Sequence, residues 1–215
     1  MFLDKQDAFI RTSEKDGFNH IYIDDFNGNT KQVTKGNFDV VDCKGIDEKN
    51  NLIYYIAAEE GAHRKDLYVI KTDGSGKKKL STRSTGTNKA EFSAGMKYYI
   101  NYWDDANTPL HVTLHLANGK EIKVLEDNKE LNTTLKQFNL SKKEFFKFTT
   151  SENVGLNAWM IKPKNFDANK KYPVLLFVYG GPGNNEVIDT WEAQQYIWHQ
   201  MLAQKGYLVV CVDPR

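Results

Sequence analysis

Residues 173–185 read PVLLFVYGGPGNN, an apolar run that breaks into Gly-Gly-Pro-Gly with Tyr179 at the junction. Such a break brings a phenol and bare backbone to the carboxyl end of a strand, where open α/β sheets place their ligands. Spacing alone leaves two uses for Tyr179 open: facing a ligand, or covering the end of the sheet. The other residues that carry chemistry are scattered. Cys43 and Cys211 have no neighbouring Cys or His at metal spacing, so neither a metal site nor a disulfide is expected. His20, His111 and His115 fall on predicted strands, His63 in a turn and His199 on a predicted helix, and all five read as structural.

Composition narrows the partners. The chain has 215 residues, 29 Lys+Arg against 28 Asp+Glu, and a net charge of +1, which gives no broad attraction to nucleic acid or an anionic membrane. A 40% hydrophobic and 13% aromatic content suffices for a packed core, and no window approaches a membrane span. The start, MFLDKQDAFI, lacks the regions of a signal peptide. The end, YLVVCVDPR, stops inside a predicted strand and its turn, so the chain is expected to be a fragment.

A repeat organises the first half. HIYIDDFNGN, DLYVIKTDGS and LHVTLHLANG share an alternating pattern leading into a glycine; Tyr22 to Tyr68 and Gly28 to Gly74 are both 46 apart, and Gly74 to Gly119 is 45. Each is preceded by another alternating run and a polar turn, in DAFIRTSEKDG, NLIYYIAAEEG and KYYINYWDDAN. Paired alternating runs joined by a short Asp/Gly/Asn turn predict antiparallel hairpins. A period of roughly 40 to 50 residues with four short strands is that of a β-propeller blade. Residues 1–127 would hold two to three blades. A ring needs roughly four to eight, so further blades are expected upstream.

The pattern changes after VLEDN. Residues 128–142 read as a linker with a short helix, ELNTTLKQF, whose Leu131, Leu135 and Phe138 share one face. Residues 143–215 read as two alternating strands (KEFFKFTT and LNAWMIKP), a polar loop, the strand VLLFVY, a helix over about 190–204, Gly206 as its C-cap and the strand YLVVCVD. Trp191, Ile197, Trp198, Met201 and Leu202 supply the helix with a buried face, and continuous apolar strands predict a sheet covered on both sides. The fold class is mixed and mainly β: the last two to three propeller blades, then the opening strands and first helix of an α/β domain.

The combination of VLEDN, KYPVLLFVYGGP some fifty residues later, and upstream repeats carrying LIYYI with DLY and KYY resembles the dipeptidyl peptidase IV subfamily of the prolyl oligopeptidase superfamily, in a bacterial version. The resemblance runs over essentially the whole chain. It implies an eight-bladed propeller packed on an α/β-hydrolase domain, with no cofactor. It also implies a serine exopeptidase that releases N-terminal Xaa-Pro or Xaa-Ala dipeptides from peptides with a free N-terminus, in the periplasm or cell envelope, with the parent protein a homodimer. Tyr179 matches the family tyrosine whose hydroxyl stabilises the oxyanion, the second donor being a backbone N–H beside the serine. Asp213-Pro214-Arg215 matches the start of the family's Asp-x-Arg-Gly turn, so Arg215 is a candidate substrate-binding residue.

The departures are as informative. No G-x-S-x-G elbow occurs, and the family's Asp and His follow that serine, so this chain alone is expected to be inactive. Glu59-Glu60 imitates the family's amine-binding glutamate pair but lies in a hairpin turn, whereas the family pair lies in an earlier blade; both read as solvated turn charges. A related oligopeptidase or acylaminoacyl peptidase, or a non-catalytic propeller that binds partners, are the alternative readings.

Overall fold

The computed structural model describes residues 1–181 and 183–214. The chain divides into two compact units, Met1–Trp103 with His111–Asp127, and Asp104–Leu110 with Asn128–Arg215.

The repeats of the first unit lie in three separate sheets. Strands β1 (Ala8–Ser13), β2 (His20–Asp25) and β3 (Thr30–Gln32) form the first; β4 (Val40–Asp47), β5 (Leu52–Ala57), β6 (Asp66–Lys71) and β7 (Lys78–Lys79) the second; β8 (Thr87–Phe92), β9 (Tyr98–Asp105), β10 (Thr108–Leu116) and β11 (Glu121–Glu126) the third. Within each sheet the strands pair in chain order. The hairpins predicted from alternation are β1–β2, which runs Ala8↔Asp25 to Ser13↔His20, β5–β6, which runs Leu52↔Lys71 to Ala57↔Asp66, and the adjacent β9 and β10. The repeated glycine closes one and the same turn three times. Gly28, Gly74 and Gly119 have φ of 87°, 86° and 93°, and each N–H donates to the carbonyl three residues back, on Asp25, Lys71 and Leu116 at 3.1, 2.9 and 2.9 Å. A side chain in that left-handed conformation is strained, which is why glycine recurs there.

The run LIYYI is continuously apolar because the second sheet is covered on both faces. Ile53, Tyr55 and Ala57 pack with Ile10, Ile21 and Val33 on one side, while Tyr54 and Ile56 pack with Leu80, Ala90 and Tyr99 on the other. Each β5 residue therefore meets a neighbouring sheet whichever way its side chain points. In contrast, every residue of β11 is exposed, including Ile122, Val124 and Leu125.

The second unit is built on a mixed sheet of β12 (Lys143–Thr149), β13 (Gly155–Ile161), β14 (Val174–Phe177) and β15 (Leu208–Val212), in the order β12-β13-β15-β14. β12–β13 and β13–β15 are antiparallel, and β14–β15 is parallel. Helix α1 (Lys129–Leu135) and a 3-10 turn (Lys136–Phe138) precede the sheet, and α2 (Gln194–Gln204) connects the parallel pair. Neither α1 nor the 3-10 turn has a buried residue, and Phe138 is exposed. After α2, the Tyr207 N–H reaches Leu202 O at 3.1 Å and Gly206 has φ of 90°, the left-handed helix end expected at this glycine.

Three expectations for this unit are corrected. The strand at 174 ends at Phe177, opposite Cys211, so Val178 and Tyr179 lie beyond the last paired residue. Helix α2 begins at Gln194 rather than near 190, and its buried face is Tyr196, His199, Gln200 and Ala203, while Ile197, Trp198 and Met201 are exposed. Specific contacts turn the helix this way: the Gln200 side chain accepts from the Ser141 N–H at 2.9 Å and donates to the Ser141 carbonyl at 2.6 Å, and the His199 ring packs on Trp159 and Phe177. Lastly, the core of Trp159, Ile161, Val187, Ala203, Val209 and Cys211 takes one face of β14, through Leu175 and Phe177, and Val174 and Leu176 on the opposite face are each 58% exposed. Among the described residues, none covers that face to the extent that the continuous apolar strand predicts.

Candidate functional site

Tyr179 stands two residues past the end of β14, at the carboxyl edge of the parallel pair, and is 58% exposed. Its ring lies over Gly181: a Cβ on that residue would come within 2.6 Å of the Tyr179 Cε1, so only glycine admits the phenol in this position. Gly180 and Gly183 bend the backbone with φ of 73° and 76°. An exposed phenol here offers one O–H donor to an oxygen arriving from solvent.

The far end of the turn is tied to the sheet. The N–H groups of Glu186 and Val187 both donate to Asp213 Oδ1, at 2.7 and 3.0 Å, just beyond β15, and the Trp159 indole N–H of β13 donates to the Glu186 carbonyl at 3.2 Å. Further along, Asp189 Oδ1 accepts from the Ala106 N–H at 2.8 Å, and the Thr190 hydroxyl donates to Asp104 at 2.6 Å. The candidate substrate residue Arg215 lies outside the described residues.

Beneath this loop is a group of charges that no sequence pattern singled out. Lys143 Nζ, with a side chain 0% exposed, stands 3.0 Å from Glu192 Oε2 and 4.5 Å from the Trp159 ring centroid. His199 Nδ1 is 4.0 Å from the same carboxylate oxygen. Burial first, and the Lys143 ammonium second, push the His199 imidazole down to about 4, so it is neutral at pH 7. The only signal of this in sequence was an alternating strand that begins with a lysine, which ordinarily reads as a solvated end.

The remaining candidates separate cleanly. Glu60 is exposed with Lys79 Nζ at 3.4 Å, a turn charge as expected. Glu59 departs from that reading: its side chain is 16% exposed, with Lys77 Nζ at 2.7 Å. Its carboxylate lies close enough to Tyr55 and Tyr68 that burial first and Glu59 second raise both phenols above the ordinary tyrosine range. Glu59 thus has a lysine at close range, while Glu60 shares Lys79 with the buried Asp66, whose Oδ2 lies 3.0 Å from the same Nζ. His20 bonds the Thr34 hydroxyl and the Gly36 carbonyl, and His115 bonds Thr113 and the Gly119 carbonyl, so both fix turns. Burial pushes the Cys43 thiol up to about 11 and the Cys211 thiol up to about 12, which leaves both as poor nucleophiles. Among the described residues no group of His, Cys, Asp or Glu could hold a metal ion, and no helix is long and apolar enough to cross a membrane.

A family model described as the dipeptidyl peptidase IV (DPP IV) N-terminal region matches residues 1–110. The crystal structure of Porphyromonas gingivalis dipeptidyl peptidase 4 is similar with a TM-score of 0.89 and 41% identity, covering 96% of this chain and 29% of that one. A probable dipeptidyl-aminopeptidase B of Arthroderma otae is 31% identical over 217 residues, covering 97% of this chain and 23% of the relative. The corresponding protein of Fusarium vanettenii is 30% identical over 219 residues, covering 98% and 24%. The chain thus spans about a quarter of the length of the curated relatives it matches. With the match to the family's N-terminal region over half the chain, and these similarities over nearly all of it, the chain belongs to the dipeptidyl peptidase IV family.

Proposed function

We propose that this chain is a portion of a serine exopeptidase that releases Xaa-Pro or Xaa-Ala dipeptides from peptides with a free N-terminus. In this reading residues 1–127 are the last two to three blades of a β-propeller, residues 128–142 a linker, and residues 143–215 the opening strands and first helix of an α/β-hydrolase domain. The parent protein is a periplasmic or cell-envelope homodimer. The successive sheets of three, four and four strands in the first unit, and the parallel pair connected by α2, support this division. So do the exposed apolar residues on β14 and α2, which in a larger sheet would be covered.

The observation that carries the reading is Tyr179, an exposed phenol at a strand's carboxyl edge on a glycine-lined turn. As a fixed donor it would meet the negative oxygen that forms when a serine attacks the peptide carbonyl. Neither passage from strand to helix in this chain, residues 127–128 or 178–193, contains a serine, so the 215 residues alone would hydrolyse nothing. In the full-length enzyme, Tyr179→Phe should lower kcat on a chromogenic Gly-Pro substrate by roughly 10²-fold, through loss of one oxyanion donor, with the isolated chain as the inactive blank. Near-normal turnover by that variant would remove Tyr179 from the reaction.

A further inference from the structure

From the double hydrogen bond at Asp213 we infer that this carboxylate is a positioning residue for Tyr179, acting through the backbone of the turn rather than on substrate. The inference rests on the oxyanion reading of Tyr179. Between Phe177, the last paired residue of β14, and Glu186 lie residues 178–185, and none of those described belongs to a strand or helix. Three of them are glycines, two with left-handed φ. Such a segment has wide conformational freedom of its own. Its placement depends on what holds its two ends.

One end is held by the strand pair β14–β15. At the other, one carboxylate oxygen takes two successive backbone N–H groups, Glu186 at 2.7 Å and Val187 at 3.0 Å. The carboxylate's own backbone is fixed in turn, since the Asp213 N–H donates to the Asn157 carbonyl at 3.1 Å and extends the β13–β15 pairing past Ala158↔Val212. The indole of Trp159, itself 0% exposed, holds the Glu186 carbonyl from β13, and Val187 is buried in the core. Residues 186–187 are thus pinned on both polar sides to two core strands. A charged acceptor makes stronger bonds to N–H donors than a neutral one. The turn that seats the phenol over Gly181 is therefore held at its two ends, and Asp213 supplies one of the two holds.

A double-mutant cycle in the full-length enzyme tests this on Gly-Pro substrate. Asp213→Ala should lower kcat by about 30-fold with KM changed by less than about threefold, because misplacing a reacting group by a fraction of an ångström costs rate rather than binding. Asp213→Asn, which keeps an acceptor oxygen for the same two N–H groups, should recover most of the loss. In the Tyr179→Phe background, Asp213→Ala should cost less than about a further threefold, since residues acting as one unit are not additive. A deep Tyr179→Phe loss on which the Asp213→Ala loss multiplies in full would overturn the positioning role and leave the oxyanion reading intact. A near-normal Tyr179→Phe would overturn both. Should Asp213→Ala fail to fold, Trp159→Phe, which removes the other tether at Glu186, takes its place in the cycle: a loss absorbed by Tyr179→Phe supports the tethered turn, and one that multiplies in full overturns it.

Discussion

The hairpin turns of the first unit and the turn after β14 satisfy their backbone donors in opposite ways. In the first unit the partner is next door: Asp25 Oδ1 takes the N–H groups of Asn27 and Asn29 at 2.9 and 2.8 Å, Asp73 that of Ser75 at 2.8 Å, and Asn118 that of Lys120 at 3.0 Å. At the turn after β14 the partner is far along the chain, Asp213 lying 27 residues from Glu186. In the same unit Gln200 lies 59 from Ser141 and Asp189 lies 83 from Ala106, while that unit's turns at Thr150 and Asp167 close locally, on the N–H groups of Val154 and Asn169. A turn of the first kind can form as soon as its few residues are made. One of the second kind exists only after the sheet has assembled, because loop closure must come before the bonds that reward it. The hairpin turns of the repeats close within their own few residues, whereas the turn bearing Tyr179 is a product of the whole second unit.

This contrast can be broken at its strongest point first. Lys143→Ala leaves the Glu192 carboxylate, 14% exposed, without its buried cation, and should destabilise the second unit by about 3 kcal/mol or more, as breaking a buried ion pair does. Urea unfolding of the purified chain measures it, and a loss near zero would mean the cluster is wet and anchors nothing. The pH dependence sharpens the same point. His199 has a folded value of about 4 against an ordinary 6.5, so the unfolded chain takes up the proton first as pH falls. Its contribution is fully present above pH 6.5, drains away between 6.5 and about 4, and is gone below that. Melting temperature should fall across this window, and less steeply in His199→Gln; equal slopes would show that other groups dominate. The smallest effect belongs to the self-contained turns. Asp25→Ala removes an acceptor from two exposed N–H groups that water can serve instead, and should cost about 1 kcal/mol or less in the same urea experiment. A loss there as large as that of Lys143→Ala would erase the distinction between the two kinds of turn.

What could be read in advance follows the same division. The three hairpins and their closing glycines were legible because alternation and a left-handed turn are properties of adjacent residues, whereas LIYYI, read as one of the alternating runs, has both of its faces covered by neighbouring sheets, which only the structure showed. The turn at Gly180 and Gly181 was legible for the same reason as the hairpins. Asp213 as a tether and Lys143 as a buried cation were not, since neither has a distinguishing neighbour in sequence. The buried face of α2 was misjudged because hydrophobicity alone chose Trp198 and Met201, whereas the helix is rotated by hydrogen bonds from Gln200 and ring contacts of His199.

The sequence by itself determined where strands alternate, where glycine must take a left-handed turn, and that a phenol follows the strand at 174. Only the tertiary structure decided which residues hold that phenol's turn in place, which face of α2 is buried, and that a lysine, a glutamate and a neutral histidine share one interior. The physical reason is range. Local pattern encodes the conformations open to a short segment, while a hydrogen bond or a charge pair between residues tens of positions apart depends on a sheet register that no single segment contains.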